Sequence, residues 1–393
     1  MGKVGIVSCY FQKNYGSQLQ AYATQKILDD WGVDNETINI VGLEREITNT
    51  KYKYFIRNLL NASISKDKIG YLKLSLLKRI LKKSLGQKIK IREEMFEKFS
   101  HEMFQLSRQY NSKKDLREHS KNYATFLVGS DQLWLPSNIE ADYYTLNFVH
   151  NNIPKISYAT SFGVSTIPKR QNKKACSFLK RIEYISVREM TAQKIVKGLT
   201  GKTVPLVCDP TLLFTSDEWQ SIQKPERIIT EKYIFCYFLG NNPDQRTFAK
   251  RLKEKTGLKI VHLQHLDEYI KSDESFADYT PYNIGPSEFI SLIRDAEFIL
   301  TDSFHGTCFS ILHRKKFFAF NRYKANEKHS TNSRIPSLLS LLNISNKLLI
   351  TNYDDIDIND DIDYDDVLRR LDDFRYFSKD FLKNALTSSG IKI

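Results

Sequence analysis

The stretch EFILTDSFHGTCFSILHRKKFFAFNR, residues 297–322, decides the fold. Its apolar run at 298–300 reads as a buried strand, and a polar turn at 301–306 follows directly. Helical spacing begins at 307–312, and a second buried strand reads at 316–320. Strand, polar turn, helix and strand form the repeating unit of a parallel α/β sheet. The turn carries Asp302, Ser303, His305 and Gly306. A histidine at a strand end beside a helix N-terminus can move a proton near neutral pH or donate to a developing anion. Ser303 and Gly306 flank it where backbone can approach a ligand, which favours a site over a simple helix cap.

The same unit recurs in both directions. Just upstream, strands are expected at 233–239 and 259–263, with helices at 246–255 and 286–296, the latter N-capped by Ser287. The chain opens with a strand at 4–9, a loop at 10–16, a helix N-capped by Ser17 and a strand at 36–41. Further strands are expected at 124–128, 155–159, 184–187 and 204–207. Polar residues stand at their ends: Gly129-Ser130-Asp131, Ser161-Phe162-Gly163, Arg188-Glu189 and Cys208-Asp209-Pro210. Ligands of open α/β sheets bind outside the carboxyl ends of the strands, so the cleft belongs on that edge. Residues 215–232 are polar, contain Pro225 and read as a linker. At 393 residues the chain exceeds one ordinary core. The expected architecture is α/β, with two Rossmann-like domains facing a central cleft. They cover 1–220 and 221–365, with a basic helical insertion within 45–110 and a C-terminal helix over 366–393.

Composition narrows the function. The five cysteines are scattered, without a CxxC pair, which argues against a zinc site or a disulfide framework and for a reducing cytoplasm. No apolar run is long enough to span a bilayer, and no export signal is expected at the start. The net charge is +13, and thirteen basic residues against Asp67 place +12 of it between Lys51 and Arg92. One local basic element is not the groove of a nucleic-acid enzyme, so no nucleic-acid partner is expected. The stretch reads as amphipathic helices, either an ordinary solvated face or a peripheral contact with an anionic inner membrane leaflet. The aspartates between Asp354 and Asp366 read as a solvated loop, because a calcium loop's turn glycine and closing glutamate are missing. No metal site is expected. The sequence carries no signature of oligomeric state.

Three more groups bear on chemistry. Asp131 can act as a base or orient a sugar hydroxyl beside Gln132, and Trp134 can stack on a sugar; the other reading makes Asp131 a helix cap and Trp134 core. Asn14, Tyr15, Gly16 and Ser17 form a strand-to-helix loop whose N–H groups can hold an anion, or a plain turn that uses glycine for its backbone freedom. Arg188, Arg334 and Lys324 can grip carboxylate and phosphate, or form surface ion pairs.

Together these segments resemble the polysaccharide pyruvyl transferase family. The matching stretches run in order: NYGSQLQAYA at 14–23, LVGSDQLW at 127–134, ISYATSFG at 156–163, ISVRE at 185–189, VCDPTLLF at 207–214, the turn and strand at 301–322, and NSRI at 332–335. The resemblance implies a GT-B-like fold, phosphoenolpyruvate as donor substrate with no further cofactor, and a hexose of a glycan or lipid-linked oligosaccharide as acceptor. It implies proton transfer by His305 and Asp131. It places donor binding at Arg188, Arg334, Lys324, Ser303 and Gly306, and acceptor binding at Asn14, Tyr15, Gly16, Ser17, Gln132 and Trp134. In the better-studied branch of the family the histidine motif contains an arginine. Asp302-Ser303-Phe304-His305 lacks it, and Arg334 is expected to supply the charge. Two other readings fit the same fold: a nucleotide-sugar glycosyltransferase, and a non-catalytic scaffold for glycan assembly.

Overall fold

The computed structural model describes residues 2–57, 83–264, 270–273, 275–322, 333–349, 358 and 361–393. The centre of the basic stretch, Lys324 and most of the aspartate-rich segment lie outside them. The first sheet holds β1 (Val4–Val7), β2 (Asn35–Thr37), β3 (Thr125–Val128), β4 (Lys155–Thr160) and β5 (Tyr184–Val187), all parallel in the order β2-β1-β3-β4-β5. Residues 204–207 contribute only an isolated bridge between Leu206 and Val187. The second sheet holds β6 (Tyr233–Tyr237), β7 (Lys259–His262), β8 (Phe298–Thr301), β9 (Lys316–Phe320) and β10 (Leu348–Leu349), parallel in the order β10-β9-β8-β6-β7. All four residues of β1 and of β3 are buried, as expected for strands covered on both faces.

Helices α1 (Tyr15–Asp30), α2 (Glu44–Arg57), α3 (Lys83–Met103), α4 (Lys113–His119), α5 (Pro136–Ala141), α6 (Asn172–Lys180) and α7 (Met190–Thr200) belong with the first sheet. The short α8 (Ser216–Trp219) lies in the linker. Helices α9 (Pro243–Thr256), α10 (Pro286–Asp295), α11 (Phe304–Leu312) and α12 (Arg334–Leu341) belong with the second sheet. The last helix, α13 (Tyr364–Ser388), returns to the first domain. There Ser378 Oγ accepts from the Cys208 N–H (2.9 Å), and Arg375 Nε donates to the Leu212 carbonyl (2.8 Å).

Three helix starts differ from the sequence reading. Asn14, in extended backbone, caps α1 by accepting from the Ser17 N–H (3.1 Å), which frees the Ser17 hydroxyl for other work. Pro286 takes the first position of α10, and Glu288 accepts from the Gly285 N–H (3.0 Å), so Ser287 is not the cap. Helix α11 begins at Phe304, capped by Ser303, so His305 lies in its first turn rather than in a loop.

Each sheet reverses its winding order once, between β1 and β3 and between β6 and β8. Loops leaving these strands diverge there and open a crevice. The two crevices face each other across the domain boundary. Tyr15 helps to hold that boundary: its ring stacks on Phe289 (4.7 Å, 5°) and its hydroxyl donates to the Ile284 carbonyl (3.0 Å). From α3, Arg92 donates to the carbonyls of Gln264 (2.5 Å), Pro281 (2.8 Å) and Tyr282 (3.3 Å) of the second domain.

Candidate functional site

Between the two crevices lies a cavity of about 350 Å³. The first domain lines it with Gln12, Asn14, Ser17, Lys51, Asp131 and Gln132, and the second with Leu239, Ser303, Phe304, His305, Arg322 and Arg334. Among the described lining residues, three basic side chains, Lys51, Arg322 and Arg334, face one carboxylate, that of Asp131. A concave site with this imbalance attracts an anion of more than one charge.

Asp131 sits in left-handed backbone (φ 76°), an uncommon conformation for a residue with a side chain. Its Oδ2 accepts from Ser17 Oγ at 2.6 Å, and its Oδ1 lies 3.6 Å from an Arg188 nitrogen. Burial works against the charge, but Arg188, His305, the Ser17 hydroxyl and Arg334 outweigh it and hold the carboxyl below the usual range. Asp131 is therefore ionised at neutral pH and a weak base. It is suited to accepting a hydrogen bond from a hydroxyl rather than removing its proton.

Behind the cavity, Arg188 and Asp209 form a buried pair at 2.6 Å. Asp209 also accepts from Ser130 Oγ (2.8 Å), the Thr211 N–H (3.0 Å) and Thr211 Oγ1 (2.8 Å). Burial opposes its charge, yet His305, Arg188 and the Thr211 N–H push the carboxyl far below its ordinary value. His305 Nε2 lies 3.5 Å from Asp209 Oδ2, at the outer limit of a hydrogen bond. The other face of the imidazole rests on Gly16, where a Cβ would stand 1.9 Å from Nδ1. Gly16 thus permits a close approach of His305 that any side chain would block.

On the second-domain side, Arg334 is buried and its Nε has no hydrogen-bond partner among the described residues. Burial, then repulsion from Arg188 and Arg322, pull its guanidinium down to about 10. Arg322 is steadied by Asp302, whose carbonyl accepts from an Arg322 nitrogen at 3.2 Å and whose carboxylate lies 3.7 Å from Nε. Asp302 is itself fixed by the N–H groups of Leu239 (2.6 Å) and Gly240 (2.9 Å). The Phe304 ring carries the Arg188 guanidinium at 4.5 Å and that of Arg334 at 6.0 Å.

Several sequence expectations need correction. Trp134 is completely buried, packed on Phe162 and Phe178, with its indole N–H donated to the Tyr144 carbonyl (3.2 Å); no sugar reaches it. Tyr15 belongs to the domain boundary. The Gly306 N–H is occupied by Ser303 Oγ (3.2 Å). Arg188 points at Asp209 and Asp131 rather than into the cavity. Lys324 lies outside the described residues. Asn14, Ser17, Asp131, Gln132, Ser303, His305 and Arg334 do converge on the cavity. The sequence reading missed Lys51, Asp209 and Arg322. Asp209 and Arg322 follow a bridge at Leu206 and strand β9, so the strand-end rule applied to the other candidates reaches both.

Among solved structures, the fold is similar to a UDP-N-acetylglucosamine 2-epimerase (TM-score 0.52, 11% identity, covering 99% of this chain and 96% of that one). Similarity also extends to the Methanocaldococcus jannaschii UDP-GlcNAc 2-epimerase (0.49, 10%, 99% and 100%) and to E. coli ADP-heptose lps heptosyltransferase II (0.38, 11%, 96% and 99%). At such identities the likeness is one of fold, which is GT-B-like. A search of curated proteins gave no match. A family model described as polysaccharide pyruvyl transferase matches residues 14–323, including Asp131, the His305 turn and Arg322. With most of its length inside that match, and all the cleft-lining residues except Gln12 and Arg334, the chain belongs to the polysaccharide pyruvyl transferase family of enzymes.

Proposed function

We propose that this enzyme transfers pyruvate from phosphoenolpyruvate to a hexose of a cell-surface polysaccharide or its lipid-linked precursor, forming a cyclic ketal. The observation that carries this reading is the pair Arg322 and Arg334, cationic and incompletely neutralised, beside His305 in one cavity. Phosphoenolpyruvate carries a carboxylate and a phosphate, which match two guanidinium groups. His305 delivers a proton to C3, which makes C2 electrophilic. A sugar hydroxyl, oriented by Asp131, attacks C2 and returns its proton to the imidazole that has just given one up; a second hydroxyl then displaces phosphate, which leaves with that hydroxyl's proton, and closes the ketal. The arginines offset the charge that develops on the leaving phosphate. Asp209 holds the imidazole in place, and Arg188 keeps Asp209 and Asp131 ionised.

The test is phosphate release from phosphoenolpyruvate in the presence of a membrane-extracted glycan acceptor. His305→Ala is expected to lower turnover about 10²–10⁴-fold while leaving donor affinity within a few-fold. Near-normal turnover in that variant would remove His305 from the chemistry. On the same reading the enzyme works on the cytoplasmic side, with the exposed face of α2 that carries Lys53 and Arg57 against anionic lipid, while Lys51 and Arg92 turn inward. Exposed Tyr52 and Ile56, beside Lys53 and Arg57 on α2, support that contact. Unchanged sedimentation with anionic liposomes after Lys53→Glu/Arg57→Glu would refute it.

A further inference from the structure

Helix α2 sends two side chains one turn apart, Lys51 and Phe55, to the wall of the cavity. Three other cations of the first domain have acidic partners. Arg57 reaches Glu140 (4.0 Å), Lys113 reaches Glu46 (3.2 Å), and Lys13 lies between Glu93 and Glu97 (3.2 Å each). Lys51 has no carboxylate within ion-pair distance and no hydrogen bond among the described residues, although it is partly buried. Burial lowers its pKa, as expected for an ammonium taken from water without a counter-charge. Around the same cavity stand Gln12, Asn14, Ser137 and Asn138, neutral groups suited to hydroxyls and ester oxygens.

The two anionic groups of the proposed donor are matched by Arg322 and Arg334, both on the second domain. Lys51 comes from the opposite wall and is left without a group of the donor to bind. We infer that Lys51 forms a second anion site on the acceptor side, and that the acceptor carries a negative group, phosphate ester or carboxylate, next to the sugar that receives pyruvate. The inference rests on the proposed reaction for its naming of donor and acceptor sides.

Isothermal titration separates the two sites. Protein saturated with phosphoenolpyruvate is titrated with inorganic pyrophosphate, a phosphate-ester surrogate, and separately with glucuronate. One of the two should bind the loaded protein and lose about tenfold in affinity in Lys51→Gln, the worth of one charge-assisted hydrogen bond. Lys51→Arg should restore binding, and affinity for phosphoenolpyruvate should stay unchanged in both variants. The probe that loses affinity identifies the anion's chemistry. Equal affinity in wild type and Lys51→Gln, or displacement of phosphoenolpyruvate by both probes, overturns the inference. If phosphoenolpyruvate itself fails to bind, the donor reading falls, and the same titrations without it still decide the Lys51 site.

Discussion

Replacing Gly16 with alanine tests whether the position of His305 governs the chemistry. The new Cβ would stand 1.9 Å from Nδ1, 2.4 Å from Cγ and 2.8 Å from Cβ of His305, against the 3.4 Å at which ordinary contact begins. The ring must retreat by about 1.5 Å or α1 must shift, and overpacking of this kind costs ~1–3 kcal/mol. Gly16 has ordinary helical backbone, so no strain of φ adds to that cost. Elsewhere in a helix the same change gains ~0.5–1 kcal/mol. Gly198, in α7 with nothing within 4 Å of its would-be Cβ, is the matched control. A reacting group misplaced by about 1 Å loses ~10²-fold in rate, so Gly16→Ala should lower kcat by about that factor. On the proposed reading, affinity for phosphoenolpyruvate rests on Arg322 and Arg334 and should change little. The assay is acceptor-dependent phosphate release, with binding measured separately. A Gly16→Ala enzyme with kcat within threefold of wild type would refute the reasoning.

Two further predictions concern stability. Asp209→Asn leaves Arg188 buried beside an uncharged partner and should cost ~3–5 kcal/mol, read as a fall in the urea midpoint at pH 7. His313 sits between Ser216 Oγ (2.9 Å) and Gln223 Nε2 (3.2 Å), and burial, helped by Lys315 and Arg294, lowers its pKa to about 4. A folded value below the unfolded 6.5 gives stability that is complete above pH 6.5 and is lost as pH falls through 4. The loss should approach ~3 kcal/mol over that window and should be absent in His313→Gln, measured by urea unfolding at pH 7 and pH 4.

The fold was legible because a parallel strand covered on both faces is a continuous apolar run ending in polar residues. Tyr184–Val187 and Lys316–Phe320 stand where the pattern puts them. The strand-end rule also located Asp131, Ser303 and His305. What it does not carry is direction. Trp134 follows a strand end as Asp131 does, yet its indole turns into the core, where its N–H meets a carbonyl. Gly16 was read as part of an acceptor-binding loop or as a plain turn, and its contact with the His305 ring could not be seen because that ring lies 289 residues away in the chain. Lys51 is one of thirteen basic residues in its stretch, and only the packing of α2 against the cleft distinguishes it. Arg188 was read as a clamp because an arginine after a strand suits an anion; the buried Asp209 claims it instead.

The central claim is that phosphoenolpyruvate binds between Arg322 and Arg334, and titration of the protein with that compound tests it most directly. Binding by the wild type that weakens at least tenfold in Arg334→Gln, with no binding of UDP-GlcNAc, is the predicted result. Tight binding of the nucleotide sugar with none of phosphoenolpyruvate, or equal affinity for phosphoenolpyruvate in Arg334→Gln, would contradict it.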